Sequence, residues 1–244
     1  MGLEGFEVNE ISKTYYDERQ KPFQVLHEIS FHWPGTENIA IIGESGSGKS
    51  TLARLIAGLE TPTSGKILMD NKDVAAWNRS TWRKKRQTIQ AVFQDASGTL
   101  NPARSAYHNV EEALCNLTKL TKSQRKERIA GLMELTHMRP ELLQVPTRQL
   151  SGGEQRRLAL LRALAIHPRY LILDEVTSGL DSISTDAVLK ALEKYHAEYG
   201  CAYLMITHDK QTAYRIADHV FEMQKGVFVR EAIRTETNKS KKGQ

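Results

Sequence analysis

The sequence predicts an α/β fold with parallel strands and an inserted helical stretch, on three observations. Short apolar runs at Ile39-Ala40-Ile41-Ile42, Tyr170 to Leu173 and Ala202 to Ile206 are bounded by polar residues. A helical pattern follows the first run and another separates the other two, and strands alternating with helices pair in parallel. From about Phe93 to Leu150 the strand pattern is replaced by helix and loop.

Taken in order, the run at Ile39–Ile42 reads as a buried strand entering a glycine-rich turn at Gly43. Leu52, Leu55 and Ile56 then fall at helical spacing from Ser50 to Ala57, and Gly58 is placed to end that helix in a left-handed conformation. Thr61 to Gly65 is a turn, and Lys66 to Met69 and Ile89 to Phe93 are further strands. In the helical stretch, Thr121 and Gln124 form a capping box, with Ile129, Leu132, Met133 and Leu135 along one face of the helix they start. The strands at Tyr170 and Ala202 flank a helix over residues 184–198. Ligands of parallel sheets bind at the carboxyl ends of strands, where the polar motifs of this chain fall.

Composition narrows the class. The 244 residues are long enough for one large domain, or a main domain with a subdomain, and 40% hydrophobic with 26% charged residues is an ordinary globular balance. The net charge of +5 is concentrated in Arg83-Lys84-Lys85-Arg86 and in Lys239, Lys241 and Lys242, runs that read as solvated surface rather than a nucleic-acid site. Cys115 and Cys201 are far apart and lack a His cluster, so neither a zinc site nor a disulfide framework is expected, and a reducing cytosol suits them. No apolar run approaches the roughly 18 residues of a membrane span, and Met1 to Glu10 lacks the apolar core of a signal peptide. Contact with a membrane is therefore expected through another subunit.

Gly43-Glu44-Ser45-Gly46-Ser47-Gly48-Lys49-Ser50 fits GxxxxGK[ST] in full and lies between a strand and a helix, the context this phosphate-binding loop requires. Its glycines let the backbone curl so that N–H groups and the positive helix end converge on an anion. Lys49 is expected to reach the β- and γ-phosphates of ATP and Ser50 to place its hydroxyl on Mg²⁺, with Thr51 beside it. A Gly/Ser connector that merely turns the chain is the bland alternative.

The strand at Tyr170 delivers Asp174 and Glu175 to its carboxyl end. Strand alternation turns the two acids in different directions, so Asp174 is the expected Mg²⁺ holder and Glu175 the group that polarises the attacking water. The alternative is an exposed acidic turn or a helix cap. His208 closes another strand, where a lone histidine reads first as structural and a contact with the γ-phosphate is the functional alternative.

Leu150-Ser151-Gly152-Gly153-Glu154-Gln155 separates the possible ATPases. Ser151 and Glu154 read as a capping box, with Leu158, Leu161 and Ala165 on one face of the helix. Two glycines in a first turn cost roughly 1 kcal/mol each against alanine unless something must approach the backbone, and an anion is the natural candidate. Here the chain resembles the ATP-binding subunits of ABC transporters, whose signature is LSGGQ or LSGGE, from about Val8 to Arg230 and with every motif in the family's order. The resemblance implies an α/β P-loop NTPase (RecA-like) core with an N-terminal antiparallel β subdomain and an inserted α-helical subdomain. It assigns residues 1–94 and 166–232 to the β subdomain and core, 95–165 to the helical subdomain, and 233–244 to a disordered tail.

The same resemblance implies that Tyr15 stacks on adenine, with Tyr16 as second choice and a strand-edge aromatic as the plain alternative. Gln94 in Val92-Phe93-Gln94-Asp95 senses Mg²⁺ and the attacking water, His208 in Ile206-Thr207-His208-Asp209 is the switch histidine, and Asp181 in Ser178-Gly179-Leu180-Asp181 crosses a dimer interface. Val176 departs from the Pro that commonly follows the catalytic Glu, which questions local rigidity more than chemistry. One chain supplies one loop and one signature helix, and in this family these face different nucleotides, so two ATPase subunits, identical or different, pair head to tail. Permease subunits are the expected membrane partners, at the cytoplasmic face, with an extracytoplasmic substrate-binding protein reached indirectly.

Gly43 to Arg54 and Ala96 to Arg104 look like the peptide, nickel and metallophore importer branch, although many of its members carry a longer C-terminal extension. The competing reading is an ABC ATPase acting on nucleic acid or ribosomes, prompted by the basic runs; the coiled-coil insertion or second ATPase unit of such relatives is not found in the sequence. A nucleotide-gated scaffold without turnover is opposed by Gln94, Glu175 and His208.

Overall fold

In the computed structural model, which describes residues 5–94 and 97–233, the chain divides into two units. The first takes residues up to 77 and those from 202 onward, and the second takes residues 78–201. Asp95, Ala96, the basic run at Lys239, Lys241 and Lys242 and the rest of the expected tail from 234 lie outside the described residues.

The first unit opens with β1 (Gly5–Tyr16) and β2 (Pro22–Pro34), antiparallel from Gly5 opposite Pro34 to Tyr16 opposite Pro22. Phe6 and Trp33 stack 5.4 Å apart and are buried with Leu26 and Ile11. Next, β3 (Ile39–Ile42) is buried along its whole length, which is why it reads as an unbroken apolar run. The helix α1 (Lys49–Ile56) buries Leu52, Leu55 and Ile56, and Gly58 beyond it takes φ 63°, the left-handed stop its position predicts. Strand β4 (Ser64–Met69) pairs antiparallel with β1, and β5 (Lys72–Asp73) completes a sheet ordered β2-β1-β4-β5.

In the second unit α2 (Arg79–Lys85) carries Arg83, Lys84 and Lys85 in its last turn, where the negative end of the helix dipole favours cations. Strand β6 (Ile89–Val92) follows, then α3 (Ala106–Leu117), α4 (Lys122–Leu135) and α5 (Gly152–Leu164). The capping box at Thr121 and Gln124 is present, and Ile129, Leu132 and Met133 are buried while Leu135 is half-buried. Strand β7 (Tyr170–Asp174) pairs in parallel with β6, with Ile89 opposite Tyr170 and Val92 opposite Leu173. Helix α6 (Ser182–Tyr199) closes the unit, and its buried Tyr195 hydroxyl donates to the Leu164 carbonyl at 2.7 Å.

The first unit resumes with β8 (Ala202–Thr207), α7 (Lys210–Ile216), β9 (His219–Gln224) and β10 (Val227–Ile233). Strand β3 pairs in parallel with both β8 and β9, and β9 and β10 form an antiparallel hairpin. Ile233 closes β10, so the strand runs one residue into the segment read as tail. The strand starts are pinned by Asn38, which is 6% exposed. Its side-chain oxygen accepts from Tyr203 N at 2.8 Å, its carbonyl accepts from Asp218 N at 2.8 Å, and its own N–H donates to Asp218 Oδ2 at 2.9 Å.

Asn38→Ala leaves the buried Tyr203 N–H without its acceptor, a cost of about 1–3 kcal/mol. A fall of roughly 2–4 °C in Tm per kcal/mol is expected in a thermal melt of a chain this size.

Candidate functional site

In the first unit, the loop between β3 and α1 is shaped by its glycines. A Cβ on Gly43 would stand 2.2 Å from the Met223 carbonyl oxygen, and one on Gly48, at φ 107°, would stand 2.7 Å from Leu26 Cδ2. No other residue fits either place. Lys49 is 6% exposed and its ammonium donates to the Gly43 carbonyl at 2.8 Å and the Glu44 carbonyl at 2.7 Å, so the cation lies against the loop it closes. Glu44, Ser45 and Gly46 form the exposed rim, Ser47 and Thr51 are buried, and Ser50 is half-buried.

Helix α1 begins at Gly48 with no side-chain cap and no acid in its first turn. Each of the other described α-helices has a side chain accepting from its first turn: Asn78, Ser105, Thr121, Ser151, Asp181 and Asp209. The first-turn donors of α1 therefore gain no partner from a capping side chain, and an anion such as a phosphate group satisfies them and the helix dipole together.

Tyr15 lies on β1 in the same unit, half-buried, whereas Tyr16 is 64% exposed. The Tyr15 ring stacks on Phe23 at 5.9 Å, and its hydroxyl donates to Glu60 Oε2 at 2.5 Å. His208 is exposed just past β8, followed by Asp209, whose carboxylate caps α7 by accepting from Gln211 N at 3.0 Å and Thr212 N at 3.1 Å. Led by the bond from the Thr212 hydroxyl, these contacts hold the Asp209 carboxyl below the usual carboxylate range.

In the second unit, Gln94 is exposed at the bend after β6. Asp174 ends β7 only 2% exposed, while Glu175 is half-buried at φ 55°. A left-handed backbone at a non-glycine residue costs of order 1–3 kcal/mol and is kept where the surroundings enforce it. Here it ends the strand and swings the second acid out of the β7 register. Val176 is 7% exposed, and the turn is closed by Ser178 N to the Glu175 carbonyl at 3.1 Å and Leu180 N to the Thr177 carbonyl at 3.2 Å. The position where the family commonly has proline is thus a buried valine in a hydrogen-bonded turn.

The signature helix α5 has the expected capping box. Ser151 Oγ accepts from Glu154 N at 3.3 Å, and the Glu154 carboxylate accepts from Ser151 N at 2.9 Å. The bonds to Ser151, backbone first, hold the Glu154 carboxyl below its usual range. Ser151, Gly152 and the exposed Asp181, which caps α6 through Ser184 N at 2.8 Å, are open to solvent. A Cβ on Gly152 would meet nothing within 4 Å. The glycine is therefore not required by its own chain.

A family profile described as "ABC transporter" matches residues 26–178 of the 244. The chain belongs to the ABC transporter family. It is 39% identical over 207 residues, 85% of this chain and 78% of the relative, to the nickel import ATP-binding protein NikE of Brucella suis biovar 1. To the protein of that name from Escherichia coli K12 it is 37% identical over 205 residues, 84% of this chain and 76% of the relative. Among solved structures, the dimeric ATP-binding cassette MJ0796 in a post-hydrolysis state with ADP and Pi superposes with TM-score 0.87 at 27% identity, covering 94% of this chain and 99% of that one. The structure of cbiO1 from Clostridium perfringens, part of the ABC transporter complex cbiONQ, gives TM-score 0.80 at 31% identity, with 98% of this chain and 92% of that one covered.

This ABC ATPase accordingly has the α/β P-loop NTPase fold expected for it, and it binds and hydrolyses ATP. Three of its supporting residues give no sequence signal. Arg156 on α5 donates to the Ser178 carbonyl and so ties the signature helix to the turn that carries Asp181. Asn109 on α3, 3% exposed, accepts from Asn101 N at 2.7 Å and donates to Thr147 Oγ1 at 2.8 Å, joining the segment past Gln94 to the approach to α5. Glu60 is the third.

Gly43→Ala should lower Tm, since a backbone oxygen stands where its Cβ would go. Gly152→Ala should leave Tm unchanged or raise it, by helix propensity worth up to about 1 kcal/mol. Thermal melts of the two variants side by side check the contrast.

Proposed function

We propose that this chain is the ATP-hydrolysing motor subunit of an importer for nickel or another metal complex, working as a head-to-tail pair of ATPase subunits. The observation that carries the pairing is the tip of α5: it caps itself, yet it keeps at Gly152 a glycine that nothing in its own chain requires. A bare, exposed backbone at a helix N-terminus suits an anion brought by another molecule. In the pair, ATP lies between the Gly43–Ser50 loop of one chain and Ser151, Gly152 and Gly153 of the other, and loss of the γ-phosphate releases the pair. The dimeric relative with ADP and Pi supports this reading.

Within each chain, Lys49 takes the β- and γ-phosphates, Tyr15 stacks on adenine, Glu175 orients the attacking water with Gln94, His208 contacts the γ-phosphate, and Asp181 meets the partner chain. Mg²⁺ is the ion this reading assigns. The Ser50 hydroxyl, the Asp174 carboxylate and the Gln94 amide oxygen are hard oxygen ligands, and no cluster of three or more His, Cys, Asp or Glu suited to a metal occurs among the described residues. A protein that supplies so few ligands suits an ion that keeps waters and takes the rest of its shell from phosphates. Bound there, the ion neutralises developing phosphate charge.

No helix among the described residues is long and apolar enough to cross a membrane. By similarity to the nickel import ATP-binding proteins and to cbiO1, part of an ABC transporter complex, the motor is proposed to act on membrane permease subunits from the cytoplasmic face, with a substrate-binding protein delivering cargo on the far side. The metal cargo rests on the two relatives that are nickel import ATP-binding proteins.

Glu175→Gln should retain ATP binding and lower turnover by roughly a hundredfold or more, the usual share of a positioned base. Undiminished phosphate release removes Glu175 from this role. Cells carrying that variant should also lose nickel accumulation, and normal uptake would exclude nickel as the cargo.

A further inference from the structure

The turn after α1 holds a charged cluster that the reading above does not use. Glu60 Oε2 accepts from the Tyr15 hydroxyl at 2.5 Å and faces the Lys13 ammonium at 3.2 Å, while its Oε1 accepts from Arg54 Nε at 2.6 Å. Arg54 lies in the last turn of α1 and donates also to Thr51 Oγ1 at 3.2 Å, so the cluster reaches back to the helix that starts at the phosphate loop. Lys13 donates in addition to the Thr61 carbonyl at 2.8 Å, and its ammonium stands 5.0 Å from the centre of the Tyr15 ring. Thr63 N to the Ser12 carbonyl at 2.8 Å and Thr14 N to Thr63 Oγ1 at 3.0 Å sew the same turn to β1.

We propose that Glu60 is a positioning residue for nucleotide, fixing the Tyr15 ring relative to α1 so that base and phosphate are gripped at a set separation. The inference rests on the reading of Tyr15 as the adenine platform. A stacking ring needs its plane held, and a tyrosine near a strand end that meets only Phe23 and the Lys13 ammonium can swing about its side-chain torsions. The bond from its hydroxyl to a carboxylate locks those torsions, and the carboxylate is itself locked by a guanidinium on the phosphate-loop helix. Burial disfavours the Glu60 anion, but the bonds from Tyr15, Arg54 and Lys13 outweigh it and hold its carboxyl below the usual range. The clamp is therefore charged at neutral pH.

Calorimetric titration of the full chain with ATP and, separately, with inorganic tripolyphosphate tests this, because the second probe carries no base. Glu60→Ala and Tyr15→Phe should each weaken ATP binding roughly three- to tenfold, the worth of a hydrogen bond to a charged group when part of it is realised in binding. Their double variant should be no weaker than either, and tripolyphosphate affinity should be unchanged throughout. Tyr15→Ala should weaken ATP by roughly ten- to a hundredfold, as loss of a base stack does. If Tyr15→Ala leaves ATP affinity intact, the platform reading fails. If Tyr15→Ala weakens ATP but Tyr15→Phe and Glu60→Ala do not, or if Glu60→Ala weakens tripolyphosphate equally, the platform stands and the positioning role is overturned. Should Glu60→Ala melt below the assay temperature, Tyr15→Phe, which keeps the salt bridges of Glu60, carries the same comparison alone.

Discussion

The loop from Gly43 to Ser50 must present backbone N–H groups outward and still hold one shape. These demands conflict, because the usual way to fix a helix start is to bond those same groups to a capping side chain. The chain resolves the conflict sterically. Gly43 lies against the Met223 carbonyl and Gly48 against Leu26, so contact with β2 and β9 sets the path of the loop. Lys49 adds bonds to the loop's carbonyls, which leaves the donors out of the bargain. Strands β2 and β9, which belong to different sheets, thus serve as the mould for a helix start that has no side-chain cap of its own.

Legibility in the sequence followed the distance between partners. The phosphate loop, the acids after β7 and the signature each do their work within a few consecutive residues, and each was readable as a motif. Strand β1 was not readable from pattern, because its register with β2 shifts after Val8, Ile11 and Lys13, and Glu10 takes a left-handed φ of 49°, so the alternation of two breaks down. Helix α2 buries no residue and offered no apolar stripe. The supporting contacts were hidden for another reason: Arg156, Asn109 and Glu60 meet partners 22, 38 and 45 residues away. No window of local sequence contains both ends of those three contacts, although Glu60 also meets Arg54 six residues away and Asn109 meets Asn101 eight residues away.

At Asp174 and Glu175 the expectation from strand period meets a backbone that has already left the strand. Alternation along a strand sends neighbouring side chains apart, but β7 ends at Asp174 and the next residue is left-handed. The second acid therefore sits in a turn rather than in a continued pleat. That turn contains the buried Val176, and Arg156 donates to its Ser178 carbonyl. A side chain on the signature helix therefore helps to set the conformation of the segment that follows Glu175, within one unit and without proline.

The two helix tips make opposite bargains with their N-terminal donors. Helix α1 forgoes a side-chain cap and is shaped by close contacts; α5 is capped twice over by Ser151 and Glu154 and has open space above Gly152. A self-sufficient tip needs no ligand to be stable, so it can stand in solvent while awaiting one. An uncapped tip is completed only by what it binds. In the head-to-tail arrangement proposed here, this asymmetry orders events: nucleotide settles first on the α1 loop, where no side-chain cap competes for the donors, and the prefolded α5 tip of the other chain then closes over the exposed phosphate. Had both tips been uncapped, either could have captured nucleotide alone, and occupancy would no longer report that two chains had met.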